Sequence, residues 1–287
     1  MKKALLTLLL LATASAAQEP ALEDRVERAM ESLRGRTVLV PLVPRELAAA
    51  PRRALDALAP YHGDASPLVR QYANAVAAGL ARELDDPALR RGVVDGLAAA
   101  LRDPEALVRQ SAGRELLQFE AGDFGPAARA VLGELLQLPA PPSAVIRAAG
   151  VAEMRDATER LRALAAAERT AWPAQLALAR LGDPEALAAC LEREAAEPSL
   201  VLRATRLWPD LAFTRQPAAY GPLAEALAGD GRLPSVSPGR PGTPAAQYAA
   251  DALAGSLRES PVPKRILGTY TDEDRARLRT WIEESSR

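Results

Sequence analysis

The side chains able to do chemistry in this 287-residue chain are mostly arginines, and they recur. Arg70, Arg109, Arg147 and Arg203 each follow an apolar pair: Leu68-Val69, Leu107-Val108, Val145-Ile146 and Val201-Leu202. Gln175 and Gln247 stand at the related places after Trp172-Pro173-Ala174 and Thr243-Pro244-Ala245-Ala246. The successive spacings along these six positions are 39, 38, 28, 28 and 44 residues. A guanidinium is a planar fork that takes carboxylates or phosphates two bonds at a time. Four of them on one face would grip an anionic partner. Each also lies near an aspartate such as Asp64, Asp103 or Asp183. An arginine there can bridge carboxylates and turn carbonyls, so Arg70, Arg109, Arg147 and Arg203 are read as a structural ladder. The polar positions beside them, Gln71, Asn74, Gln110 and Arg114, are the candidate contact residues for a partner.

Other chemistry is sparse. His62 is the single histidine and sits beside Gly63, which suggests a solvated turn; one histidine without cysteine or histidine neighbours makes no metal site. Cys190 is the single cysteine, so no internal disulfide can form, and its setting Leu187-Ala188-Ala189-Cys190-Leu191 reads as a buried apolar stripe. There is no Gly-rich phosphate loop, no G-x-S-x-G elbow and no H-E-x-x-H. No metal, no cofactor and no catalytic residue is expected. Carboxylates are plentiful, which leaves a carboxylate-based lyase or hydrolase as the alternative reading. Aromatics are 4% of the chain, and Trp172 and Trp208 sit at helical positions where core packing is the default.

The elements that must hold the arginines can be read from the same stretches. Asp103-Pro104-Glu105-Ala106-Leu107-Val108-Arg109-Gln110-Ser111-Ala112 reads as a turn, a proline-started helix and an apolar stripe continued by Leu116 and Phe119. Proline at a first helical position loses no hydrogen bond, and the preceding Asp or Ser can cap the free amides. Val93, Val94, Leu97 and Leu101 supply a second stripe just upstream. Two such helices joined by a short turn leave apolar surface that only the next pair can cover. Weaker copies begin at Ser66, Pro142 and Pro198. Fixed-period self-similarity on this scale signals stacked units rather than one globular core.

The pattern D/S-P-x-x-V-R-x-x-A at Ser66–Ala73 and Asp103–Ala112 resembles the HEAT-repeat family, including the shorter HEAT-like units of the phycobilisome-lyase type. The resemblance spans roughly residues 60–260. It implies an all-α solenoid of about five or six stacked antiparallel helical hairpins. It also implies that the motif arginines fix the stacking between hairpins. It implies little about function, because such repeats serve many unrelated partners.

The expected organisation is a leader at 1–17, N-terminal helices and a capping segment at 18–60, repeats at 61–260, and a C-terminal capping helix at 261–287. Met1-Lys2-Lys3, the leucine-rich run to Ala12 and Ala14-Ser15-Ala16-Ala17 form the order of a secretory signal peptide, cleaved after Ala16 or Ala17. The β-branched run within Arg36–Pro44, with Pro41 and Pro44 at its end, predicts an extended segment covering the open end of the stack. The Gly/Pro-rich stretch 229–243 is a loop insertion, with Arg232 and Arg240 as possible contacts. Asp272-Glu273-Asp274 after Thr271 opens a last helix whose Leu278, Trp281 and Ile282 close the stack.

The net charge of −1, and the excess of three acidic residues left once Lys2 and Lys3 depart with a leader, argue against a nucleic-acid partner. No later stretch is apolar enough for membrane insertion after cleavage. The expected function is a non-catalytic protein-protein binding or scaffolding module, periplasmic or extracellular, with a protein or peptide partner. A purely structural envelope protein is the remaining alternative.

Overall fold

In the computed structural model several helices begin where the sequence places prolines, at Pro51, Pro67, Pro87, Pro126 and Pro184. The structure describes residues 21–34, 47, 49–235, 241–256, 260–265 and 268–285. The signal peptide, the Val38–Val43 segment and Arg240 lie outside the described residues. Among the described residues the chain is all-helical and has no strand. A single isolated bridge pairs Arg232 with Pro244 across the base of the 229–243 loop. The chain divides into two compact units, one ending at Glu115 and the other starting at Leu116.

The first unit holds α1 (Leu22–Leu33), α2 (Pro51–Leu58), α3 (Pro67–Glu83), α4 (Pro87–Ala100) and most of α5 (Ala106–Leu116). A 3₁₀ turn, Ala59–Gly63, links α2 to α3. α1 buries Leu22, Val26, Met30 and Leu33 at the spacing of one helical face. α2 opens on Pro51, so that proline starts a helix and separates it from the residues before it. α4 shows the expected punctuation in full: the Asp86 carboxylate accepts the Ala88 and Leu89 amides, and Pro87 occupies the first turn. In α5 the expectation of a proline-started helix fails by two residues. Pro104 lies in the bend and the helix begins at Ala106, because Asp103 already turns the chain by accepting the Glu105 amide. The stripe behind it holds: Val108, Ala112 and Leu116 have no exposed surface.

The second unit contains α6 (Pro126–Leu136), α7 (Ser143–Val151), α8 (Thr158–Ala165), α9 (Ala171–Arg180) and α10 (Pro184–Ala196). It continues through α11 (Leu200–Leu202), a π-helical turn (Arg203–Leu207), α12 (Trp208–Thr214), α13 (Gly221–Ala228), α14 (Ala245–Ser256) and α15 (Asp272–Ser285). The helices that carry the repeated motif, or in α12 directly continue it, pack in chain order, α7 on α9, α9 on α12 and α12 on α14. Those between them lie alongside: α6 on α7, α8 and α10 on α9, and α13 on α14. Gly150 allows the tightest of these approaches, since a Cβ there would come within 2.9 Å of the Ala177 Cα on α9.

Two expected core residues are on the surface. Val201 is 39% exposed and Leu202 44%, although the motif places them on the buried stripe. A π turn follows directly after them, and Ala204, Leu207, Trp208 and Leu211 form the buried face. The C-terminal helix begins as the sequence predicts. The Asp274 carboxylate accepts the Thr271 amide at 2.9 Å, and the Thr271 hydroxyl accepts the Asp274 amide at 3.1 Å. α15 then packs on α13 and α14 through Leu278 and Ile282, with Trp281 against Tyr220 at 5.4 Å between ring centres.

Candidate functional site

The repeated arginines divide into two kinds. Arg70 and Arg109 reach back to the turn before their own helix. Arg70 Nη1 donates to the carbonyls of Asp64 at 2.7 Å and Ala65 at 3.2 Å, while Nε and Nη2 form a two-point fork on the Asp103 carboxylate at 2.7 and 2.8 Å. Both partners are nearly buried, at 12% and 10% side-chain exposure. Arg70 holds the Asp103 carboxyl below the usual carboxylate range. Arg109 Nη1 donates to the Asp103 and Pro104 carbonyls at 2.7 and 2.6 Å. The sequence reading missed two equivalents. Arg90 donates to the Leu84 carbonyl at 2.7 Å and Arg129 to the Phe124 carbonyl at 3.0 Å. The signal was present: positions 70, 90, 109 and 129 are spaced by 20, 19 and 20 residues, one arginine near the start of each helix.

Arg147 and Arg203 do something else. Arg203 Nε donates to Glu194 at 2.7 Å, and the buried Trp208 indole N–H reaches the same oxygen at 2.9 Å. Arg147 Nη1 donates to Asp210 at 2.8 Å, and Asp210 also accepts the Trp172 indole N–H at 2.7 Å. Arg147 Nε is buried with no acceptor among the described residues. Of the glutamine substitutes, Gln247 pairs with the Tyr270 backbone through both ends of its amide, at 2.7 and 2.9 Å.

The Arg147 guanidinium lies over the Phe213 ring at 4.3 Å, and Arg180 meets the same ring at 4.9 Å. Arg180 is the last residue of α9, and its Nη1 donates to the Phe213 carbonyl near the end of α12 at 2.6 Å. A cation at a helix C-terminus offsets the partial negative charge there. No carboxylate lies within ion-pair distance of Arg180 among the described residues. Burial, with Arg215 nearby, pushes its pKa down to about 10. These side chains line a cleft of about 210 Å³ together with Pro209, Asp251, Gly255 and Lys264. The Lys264 amine lies against Gly255, where a Cβ would stand 3.3 Å from it. Asp251 accepts a hydrogen bond from the Tyr270 hydroxyl at 3.2 Å.

A second cleft in this unit, about 330 Å³, also touches Arg180. Glu153, Gly182 and Arg215 on its rim are left-handed, with φ of 50°, 92° and 55°, and each follows the end of a motif helix. Arg215 is fixed there by a fork on Glu120 and by the Ser256 carbonyl at 2.9 Å.

The expected contact residues are scattered. Gln110 and Arg114 are exposed on α5, and Arg232 is exposed but donates to the Gly242 carbonyl at 2.6 Å. Gln71 and Asn74 are buried at 8% and 3% exposure, with Asn74 on the lining of a cleft that also holds His62. They lie on the broad buried side of α3, which the motif-centred reading drew too narrow. Asn74 Oδ1 sits 2.8 Å from His62 Nδ1, so His62 is a partnered residue and not simply a solvated one. Cys190 is fully buried, and burial raises its thiol pKa to about 12.

Among the described residues no cluster of three or more His, Cys, Asp or Glu could hold a metal ion, and no helix is long and apolar enough to cross a membrane. Comparison of the sequence with known protein families gives no match, and a search of curated proteins gives none.

Proposed function

We propose that the chain is an exported, non-catalytic module of stacked HEAT-like hairpins that binds a protein or peptide partner in the cell envelope. The observation that carries this reading is the packing order of the motif helices in the second unit: each lies on the next, with its companion helices alongside. Such packing is what an α-solenoid requires, a fold that presents extended surfaces to partners. Arg70 and Arg109 support it, since their bonds to turn carbonyls and to Asp103 tie consecutive helical segments together. In this reading the exposed Gln110, Arg114 and Arg232 contribute contacts.

Two measurements test it. Sequencing the N-terminus of the protein recovered from its native envelope should begin at residue 17 or 18. Cross-linking in that fraction should capture a defined partner that is lost when Gln110 and Arg114 are both changed to alanine. An intact Met1, or the absence of a partner combined with turnover of a small molecule that depends on one Asp or Glu, would overturn the proposal.

A further inference from the structure

We infer that the cleft between α9, α12 and α14 is a binding site for a single carboxylate group. Three cations line it: Arg147, Arg180 and Lys264. One carboxylate, Asp251, lines it as well and accepts from Tyr270, while Asp210, outside the lining, already pairs with Arg147 and Trp172. With Arg147 paired to Asp210, the lining carries one positive charge in excess, centred where Arg180 and Lys264 have no carboxylate within ion-pair distance among the described residues.

Arg180 makes the case chemically specific. Desolvating a guanidinium without pairing it is costly, and a protein normally avoids it. Here the cation is held in place by the Phe213 ring and carbonyl, which leaves the remainder of its planar fork for another acceptor. A fork of N–H donors matches a carboxylate, which would restore the missing countercharge. One carboxylate group balances the cleft, and the second carboxylate of a small diacid can stay in water, whereas both charges of a phosphate dianion sit on the one group that enters. The volume, about 210 Å³, is below the roughly 300–1,000 Å³ of sites for drug-sized ligands, so the group is a small acid or an acidic side chain. Gly255 keeps the place of the Lys264 amine clear, as any side chain there would crowd it.

The assignment stands apart from the partner-binding reading, because a free acid can fill the site in a protein that has no partner. The test is calorimetric titration of the full chain at low ionic strength with succinate, with a glutamate hexapeptide and with inorganic phosphate. We expect saturable binding of one succinate or one peptide per chain, weakened by added salt. Lys264→Ala, a change at an exposed side chain, should raise Kd about tenfold, and Arg180→Gln should raise it further. Tighter binding of succinate assigns the site to free acids, and tighter binding of the peptide assigns it to an acidic side chain. No saturable binding of either, an affinity unmoved by Lys264→Ala, or phosphate binding more tightly than succinate would overturn the inference.

Discussion

Arg70 and Arg147 follow similar apolar pairs in the sequence and reach different acceptors in the structure. Arg70 satisfies carbonyls and a carboxylate close to its own turn, so its removal strands several buried acceptors at once. Arg70→Ala should destabilise the fold by about 3 kcal/mol, the low end for breaking a buried pair. Arg109→Ala removes bonds to carbonyls alone and should cost about 1–3 kcal/mol. Urea midpoints of the two variants check this ordering. The Arg70–Asp103 pair also fixes a pH dependence. Asp103 has a folded pKa below the ordinary carboxylate value, so its contribution is complete above the unfolded pKa of about 3.9. It is lost as pH falls through the lower folded pKa, since the folded state then takes up the proton. Asp103→Asn should therefore be less stable than the parent at neutral pH, with the gap narrowing below about pH 4. A gap that stays constant down to pH 2 would show that the carboxylate charge has no part in holding Arg70.

At the scale of the element, helix starts were the most legible feature, because a cap and a proline act within a few residues. Asp86-Pro87 and Asp183-Pro184 open α4 and α10 as read, with Asp183 accepting the Ala186 amide at 3.1 Å. Phase was less legible. The apolar pair before Arg203 matches the other copies, yet Val201 and Leu202 face solvent, as does Leu107 in the copy before Arg109. The cleft was not legible at all. Arg180, Phe213 and Lys264 come from three separate segments, and Arg180 lies outside every motif position. Gly150 was equally silent, since its meaning depends on α9, which packs across it. Alanine ordinarily favours a helix over glycine by about 1 kcal/mol. At Gly150 the added methyl would meet the Ala177 backbone at 2.9 Å, and backbone cannot swing aside. Gly150→Ala should instead destabilise by about 1–3 kcal/mol through overpacking. Thermal unfolding decides the sign, and a rise in Tm would mean that α7 and α9 have room to separate.

For the whole molecule the proposed stack makes a demand that a single shared core does not. In a stacked array each hairpin is stabilised by its neighbours alone, so damage at one end stays near that end. Leu278 on α15 is fully buried against the last helices of the second unit, and α15 packs on α13 and α14. Leu278→Ala removes that contact and leaves a cavity, at a cost of about 2–5 kcal/mol. If the second unit is a stack, amide hydrogen exchange in the variant should accelerate in α13, α14 and α15, while α7 and α9 keep their protection. If the unit shares one cooperative core, exchange should accelerate by the same free energy in all five helices. The packing order of the motif helices favours the graded outcome, since α7 packs on α9, α9 on α12 and α12 on α14. Uniform loss of protection would remove the physical basis for reading the chain as stacked hairpins, whatever its partner proves to be.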